Sequence, residues 1–307
     1  MTARVAVTGA VGFIGQAVVS ALQRSNHEPL GLSRTKHPST IADDLIDVDR
    51  LTELFISNDV STVCHCAWTG HPRSTDVSHR DEIQGNITNT LNVALASGRA
   101  GVRHLVFLSS GGGRRTHLDD GRPAPPYGWA KAVASASVLA TAEAFGYTAT
   151  VLRPTAVYGP GQDPAKRLGV VSVFTTRLLL GEPLEVIGSN TRRDFLHADD
   201  LADLVVRCLE QRTHGEFDVG GPEVLSIDEV INALHDITHI EPTVRTVPSS
   251  GVDPDVVRLD NTAVTAATGW VPTRTLAASL PDIVSTVLRR LDLLEQQPDL
   301  AHRLGVA

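Results

Sequence analysis

A tyrosine and a lysine four residues apart, in the run Tyr127-Gly128-Trp129-Ala130-Lys131, are the pair in this chain best suited to moving a proton. On a helix that spacing puts both side chains on one face. A free phenol titrates near pH ~10. A neighbouring ammonium stabilises the phenolate and lets the hydroxyl exchange a proton closer to neutrality. Lysine suits this better than arginine, because it is a compact charge on a flexible stem that also reaches a ribose hydroxyl. The chain holds 24 arginines and only three lysines, Lys36, Lys131 and Lys166, so a lysine here is one that arginine does not replace. Just upstream, His104–Ser109 reads as a strand that delivers Ser109 and Ser110 to its C-terminal end. Ser110 would donate a hydrogen bond to a carbonyl oxygen while Tyr127 protonates it; Ser109 is the neighbouring option.

The second constellation is Thr8-Gly9-Ala10-Val11-Gly12-Phe13-Ile14-Gly15, which follows a short apolar run and opens a helical pattern. Gly9 permits a sharp turn, Gly12 lets backbone approach a pyrophosphate, and Gly15 lets the helix pack closely on the sheet. The helix start then offers free N–H groups and a positive dipole end to the anion. An NAD-preferring site carries an acid about 20 residues on. Here the corresponding stretch is Gly31-Leu32-Ser33-Arg34-Thr35-Lys36, with no acid between residues 29 and 42. Ser33 and Arg34 would instead accept a 2′-phosphate, which favours NADP(H), with NAD(H) as the alternative.

These groups need elements to hold them. The spacing predicts strands at Arg4–Thr8, Pro29–Leu32, Thr62–Ala67, His104–Ser109 and Thr148–Leu152. Helices are predicted at Phe13–Ser25, Leu51–Ile56, Asp81–Ala100 and Tyr127–Phe145. Strand–helix alternation with strands apolar on both faces predicts an α/β fold: a Rossmann-type, doubly wound parallel sheet. Past Tyr158, turn chemistry at Gly159–Pro164 breaks the rhythm. A dinucleotide-binding domain is expected over 1–160, with the chain returning to it near 195–220. A smaller α/β substrate lobe, with helices at Val170–Leu180, Asp199–Glu210, Ile227–His239 and Leu276–Leu294, is expected over 161–307.

Composition narrows the function classes. A chain that is 42% hydrophobic and 20% charged suits a soluble globular protein. No apolar run is long enough for a membrane span, and no secretory signal is expected from the opening residues. Three cysteines are too few for a disulfide framework, which favours the cytoplasm. A net charge of −8 argues against binding nucleic acid or an anionic membrane. Cys64-His65-Cys66 invites a metal reading, but strand alternation puts the cysteines on one face and the histidine on the other, so no metal is expected. His235 and His239 lack a third ligand, and no hydrolase, P-loop or zincin signature is present.

Taken together, these motifs resemble the extended short-chain dehydrogenase/reductase family, the NAD-dependent epimerase/dehydratase group acting on nucleotide sugars. The resemblance covers nearly the whole chain. It is carried further by Asp44-Leu45, His65-Cys66-Ala67, Asn86…Thr90, Val106–Ser110, Leu152-Arg153-Pro154…Val157–Gly161, Arg193–Asp200 and Gly269–Pro272. It implies that Gly9, Gly12, Phe13, Ile14 and Gly15 cradle the pyrophosphate and that Asp44 and Leu45 bracket the adenine. It implies also that Cys66, Ala67 and Trp68 line the cofactor by backbone and that Pro154 lies by the nicotinamide. Ser110, Tyr127 and Lys131 would form the catalytic triad, with Ser110 and Tyr127 also touching substrate. Arg193 would meet the substrate's diphosphate. The helices at Asp81–Ala100 and Tyr127–Phe145 would pair in a homodimer.

Three departures from the family pattern fall on the substrate side. Gly113-Arg114-Arg115 stands where Val-Tyr-Gly is usual, Ala156 stands for an asparagine, and the Pro248–Pro254 loop has Ser249 and Ser250 in place of an arginine. The segment Trp68–Arg80 is expected to overhang the active site. Three readings follow: an NADPH-dependent ketoreductase of a nucleotide-activated 4-keto-deoxysugar, a 4-epimerase with the same triad and a retained NAD, and a cofactor-sensing protein without chemistry. The last has no reason to keep Ser110, Tyr127 and Lys131 together.

Overall fold

The computed structural model describes residues 4–70, 78–117, 121–122, 124–166, 169–187, 191–247, 256–293 and 296–305. The chain divides into two compact units. The first comprises Met1–Pro154, Leu201–Val219 and Asp260–Trp270; the second comprises Thr155–Asp200, Gly220–Leu259 and Val271–Ala307.

The first unit is built on β1 (Arg4–Thr8), α1 (Phe13–Arg24), β2 (Glu28–Ser33), β3 (Thr40–Ala42), α2 (Val48–Ser57), β4 (Val60–His65), α3 (His79–Glu82), α4 (Thr88–Arg99), β5 (His104–Leu108), α5 (Pro126–Phe145) and β6 (Thr148–Pro154). Further on come β7 (Ala156–Tyr158), α6 (Val170–Leu179), β8 (Leu184–Ile187), β9 (Arg192–His197), α7 (Ala198–Gln211) and β10 (Gly215–Val219). Seven strands form one parallel sheet in the order β10-β6-β5-β4-β1-β2-β3. Ala6, Leu32, Val63, Leu105, Phe107, Ala149 and Val151 from its strands pack with Leu51, Phe55, Val93, Ala134 and Val138 from its helices. A sheet covered in this way needs strands apolar on both faces, which is why they read as short continuous runs. Because every strand is parallel, the residues after β1, β2, β4 and β5 emerge at one edge. The strand order reverses between β1 and β4, the crevice where open α/β sheets bind ligands.

The single helix expected over Asp81–Ala100 is three pieces: α3, a π turn over Ile83–Ile87, and α4. The wide turn is closed by Thr88 Oγ1, which donates to the Ile83 carbonyl at 2.7 Å. A π turn inserts one residue and re-aims the side chains around it. Here it sets Asn86 against the loop that follows β4. The edge strand β3 is not among the predicted strands, and β10 falls in the 195–220 stretch where the chain is expected to return, without being predicted as a strand.

The second unit holds β7, α6, β8 and β9, then β11 (Glu223–Ser226), α8 (Ile227–Thr238), β12 (Val244–Val247) and β13 (Val256–Val257). Beyond α9 (Thr262–Thr268), which lies in the first unit, come α10 (Leu276–Arg290) and α11 (Pro298–Arg303). Strand β9 pairs antiparallel with β11 and parallel with β13 and β7; β8 pairs with β12. Tyr158, Phe174, Phe195, Leu234 and Leu280 centre its core. No described helix is long and apolar enough to cross a membrane. The Pro248–Pro254 loop and residues 71–77 of the Trp68–Arg80 segment lie outside the described residues.

Candidate active site

The Gly-rich turn is shaped by steric need. Gly9 sits at φ +67°, and a Cβ there would stand 2.8 Å from the Ala67 backbone. A Cβ on Gly15 would meet the Gly9 carbonyl oxygen at 2.1 Å. Gly12 donates its N–H to Gly9 at 2.9 Å and is the N-cap of α1. No side chain caps that helix, so the amides of its first turn, at Phe13 and Ile14, stay open to an anion. A dinucleotide pyrophosphate fits such a cradle: bare backbone, uncapped amides and the dipole end of a twelve-residue helix.

At the end of β2 the two residues expected to take a 2′-phosphate part company. Ser33 is 4% exposed, and its hydroxyl donates to the Thr35 carbonyl at 2.6 Å while pairing with Thr40 Oγ1 at 2.6 Å. It braces β2 against β3, and Arg34 alone is exposed there. In the next loop Asp44 is exposed and Leu45 is buried at φ +65°. Helix α4 holds this loop by its backbone. Asn89 donates to the Asp44 carbonyl at 3.1 Å, and Asn92 donates to those of Leu45 and Ile46 at 3.0 and 2.7 Å.

The end of β4 is fastened by a buried histidine. Thr8 Oγ1 accepts from the Ala67 N–H at 3.2 Å and pairs with His65 Nδ1 at 2.6 Å. Thr90 Oγ1 donates to the Asn86 carbonyl at 2.9 Å, so it accepts from His65 Nε2 at 3.0 Å. Nε2 of His65 therefore carries a proton, and burial of the ring disfavours a second one on Nδ1. Burial first, and the Lys131 charge second, pull its pKa down to about 3. The cysteines on either side lie together, Sγ to Sγ 3.6 Å, on the face opposite the imidazole. No metal-ligating cluster is found among the described residues.

Of the two serines after β5, Ser110 is the one that meets Tyr127. The Ser109 hydroxyl turns inward to Ser135 Oγ at 2.9 Å. Ser110 hydrogen-bonds the Tyr127 hydroxyl and accepts the Gly112 N–H at 3.3 Å. Gly111 donates to the Pro154 carbonyl at 2.9 Å, which ties the serine loop to the end of β6. Pro126 at the first turn of α5 starts the helix that carries Tyr127 and Lys131.

Lys131 is 3% exposed. Its Nζ donates to the Leu108 carbonyl at 2.7 Å and lies 3.7 Å from the centre of the Trp68 ring. Burial pulls its pKa down to about 7, opposed by Cys66 and then Glu82. The expectation that lysine draws the phenol toward neutrality is not met in this arrangement. Nζ stands 6.0 Å from the Tyr127 ring centre, and desolvation pushes the phenol up to about 12, against the opposing bond to Ser110.

Arg193 belongs to the second unit, on β9, where its Nη1 donates to the Arg192 carbonyl at 2.9 Å. The departure at Arg114 has a local account: Arg114 and Arg153 share the Asp218 carboxylate, Arg114 through Nε at 3.1 Å and Arg153 through Nε at 3.0 Å. Among the described residues, those the sequence reading missed are supports. Thr8, Thr90, Asn89 and Asn92 hold the loops, and Glu82, 2% exposed, accepts Asn86 Nδ2 at 2.6 Å. The available signal was a run of amides and hydroxyls at helical spacing on an otherwise apolar helix face.

The pattern of the NAD dependent epimerase/dehydratase family matches residues 5–220. A UDP-glucose 4-epimerase of Mycolicibacterium smegmatis is 30% identical over 92% of this chain and 97% of its own length. A dTDP-4-dehydro-6-deoxy-D-allose reductase of Streptomyces bikiniensis is 29% identical over 87% of this chain and 91% of its own. Among solved structures, the Thermus thermophilus UDP-glucose 4-epimerase in complex with NAD superposes with a TM-score of 0.80 at 27% identity, covering 92% of this chain and 98% of that one. With the glycine cradle, the inward-facing supports and the Ser110–Tyr127–Lys131 cluster on one sheet edge, these matches establish that the chain belongs to the NAD-dependent epimerase/dehydratase family, as an enzyme of the extended short-chain dehydrogenase/reductase type.

Proposed function

We propose that this enzyme is an NADPH-dependent ketoreductase acting on a nucleotide-activated 4-keto-deoxysugar. One observation carries the reading: the Tyr127 hydroxyl is bonded to Ser110 at the sheet edge beside Lys131, while the stretch after β2 presents an exposed Arg34 and no acid between residues 29 and 42. The bound cofactor would supply hydride to the keto carbon. Ser110 orients the carbonyl oxygen by its hydroxyl, and Tyr127 protonates that oxygen as charge develops on it. Lys131 holds positive charge beneath the site and serves the ribose. Gly9, Gly12, Phe13, Ile14 and Gly15 hold the pyrophosphate; Asp44 and Leu45 bracket the adenine. Cys66, Ala67 and Trp68 line the cofactor by backbone, with Pro154 beside the nicotinamide. Arg34, exposed beyond β2 with no acid near it in sequence, supports NADP(H). Arg193 takes the substrate's diphosphate.

A second reading, a 4-epimerase retaining NAD, is favoured by Ser33. Its hydroxyl is spent inside the sheet, which leaves a 2′-phosphate one partner fewer. Denaturing the purified protein and weighing any released dinucleotide separates the two. Little or no bound cofactor, or NADP(H), supports the reductase, whereas stoichiometric NAD would turn the assignment to the epimerase. In either reaction Tyr127→Phe is expected to lower kcat by about 10²–10⁴, the usual worth of a general acid. A near-native rate would remove Tyr127 from the chemistry.

We also infer a homodimer through α4 and α5. Phe145 is 46% exposed at the end of α5 and packs on Gly98 of α4, where a Cβ would collide with its ring. Light scattering at twice the chain mass is the expected result; a monomer at micromolar concentration would exclude this pairing.

A further inference from the structure

Lys131 is a desolvated ammonium with three N–H donors and one carbonyl, that of Leu108, at 2.7 Å. Its second contact is aromatic: Nζ stands 3.7 Å above the Trp68 ring centre, with the Phe107 ring at 5.0 Å. A cation over an indole face is attracted by the ring quadrupole, most strongly where water is excluded. Several contacts fix the indole. It lies tilted on Phe107 and edge-on to Tyr127, each at 6.1 Å between centres. The residue after it is clamped: Asn86 accepts the Thr69 N–H at 2.9 Å and the Thr69 hydroxyl at 3.1 Å, and donates to the Thr69 carbonyl at 2.8 Å. Asn86 in turn is held by the buried Glu82 carboxylate at 2.6 Å. Meanwhile the Trp68 Nε1–H is buried with no hydrogen-bond partner among the described residues. An indole placed for its N–H would have one. This one is placed for its face.

We propose that Trp68 is a positioning residue for the catalytic lysine: its indole face holds the Lys131 ammonium under Tyr127, and the Glu82–Asn86–Thr69 chain holds the indole. The other titratable groups facing Lys131 are Cys66 and neutral His65 from β4 and its following loop, Glu82 from α3, and Tyr127 on its own helix. Of these, Glu82 and Cys66 favour the charged lysine when ionised, while Trp68 does so at every pH. The inference rests on the reading of Lys131 as partner of Tyr127.

The chain has only three lysines, so ¹³Cε-lysine labelling gives three resonances, and Lys131→Arg assigns the one of interest. In the cofactor-free protein the Lys131 signal is expected upfield, shifted by the Trp68 ring, with a midpoint well below the other two. Trp68→Leu keeps apolar bulk and removes the quadrupole. It should lower that midpoint by about 0.4–1.5 pH units and abolish the upfield shift. Trp68→Phe, a weaker face, should lower it by less, and it decides the matter if the leucine variant does not fold. A midpoint unmoved or raised in a folded variant overturns the proposal. The two readings fail separately: a Tyr127→Phe variant with near-native turnover would overturn the assignment of the acid and leave the Lys131 midpoint where it was.

Discussion

Lys131 shows what catalysis asks of stability at the scale of one residue. Its folded pKa lies near 7 against ~10.4 for a free lysine. Between those values the unfolded chain binds a proton that the folded chain does not, so stability rises with pH across that window and the full cost stands below pH ~7. Lys131→Met should therefore abolish turnover yet raise stability in slightly acidic buffer by on the order of a few kcal/mol, read as a higher Tm. A lower Tm would mean that the Leu108, Trp68 and Glu82 contacts outweigh the desolvation. Arg34 is the opposite kind of residue, exposed and cheap to change. Arg34→Asp should move preference from NADP(H) toward NAD(H), measured as the ratio of kcat/KM values; an unchanged ratio would remove Arg34 from 2′-phosphate recognition.

At the scale of elements, polar groups on α4 brace the ends of β1 and β4 and the loop after β3. His65 joins the ends of β1 and β4 to α4, and its burial favours the neutral ring. Its folded pKa near 3 lies below the ~6.5 of a free imidazole. Its contribution is complete above pH ~6.5 and is lost as pH falls from there toward ~3, where protonation drives the ring out. Tm should fall on acidification, and a His65→Gln variant should be less stable at neutral pH with a flatter acid limb. A parallel decline in both proteins would assign the acid loss to other groups.

Which elements were legible follows from the same physics. Buried parallel strands and the glycine turn announce themselves by apolar runs and by Gly9, Gly12 and Gly15. The break in Asp81–Ala100 did not, because a π turn keeps the apolar periodicity almost intact while rotating Asn86 into the loop beside it. Ser33 likewise reads as an anion ligand from its position, and only its partner Thr40, on a three-residue edge strand, turns it inward. The edge that carries Ser110, Tyr127 and Lys131 was legible because sequence distance and sheet geometry agree there. The pair at Asp218 was not, since Arg114 and Asp218 are 104 residues apart.

At the scale of the whole molecule, the first unit is a composite of three stretches of chain, and its sheet is completed by β10 only after the second unit has begun. On the ribosome this sets a timetable. When Pro154 has emerged, β6 is still an edge, an apolar strand with unpaired backbone groups of the kind that recruits other chains. The partner that covers it, Gly215–Val219, is synthesised some 60 residues later, and Asp260–Trp270 later still. A nascent chain of this enzyme is thus obliged to carry an open cofactor sheet while the first stretch of its second unit, Thr155–Asp200, is made, and the interval is one in which a chaperone would find it.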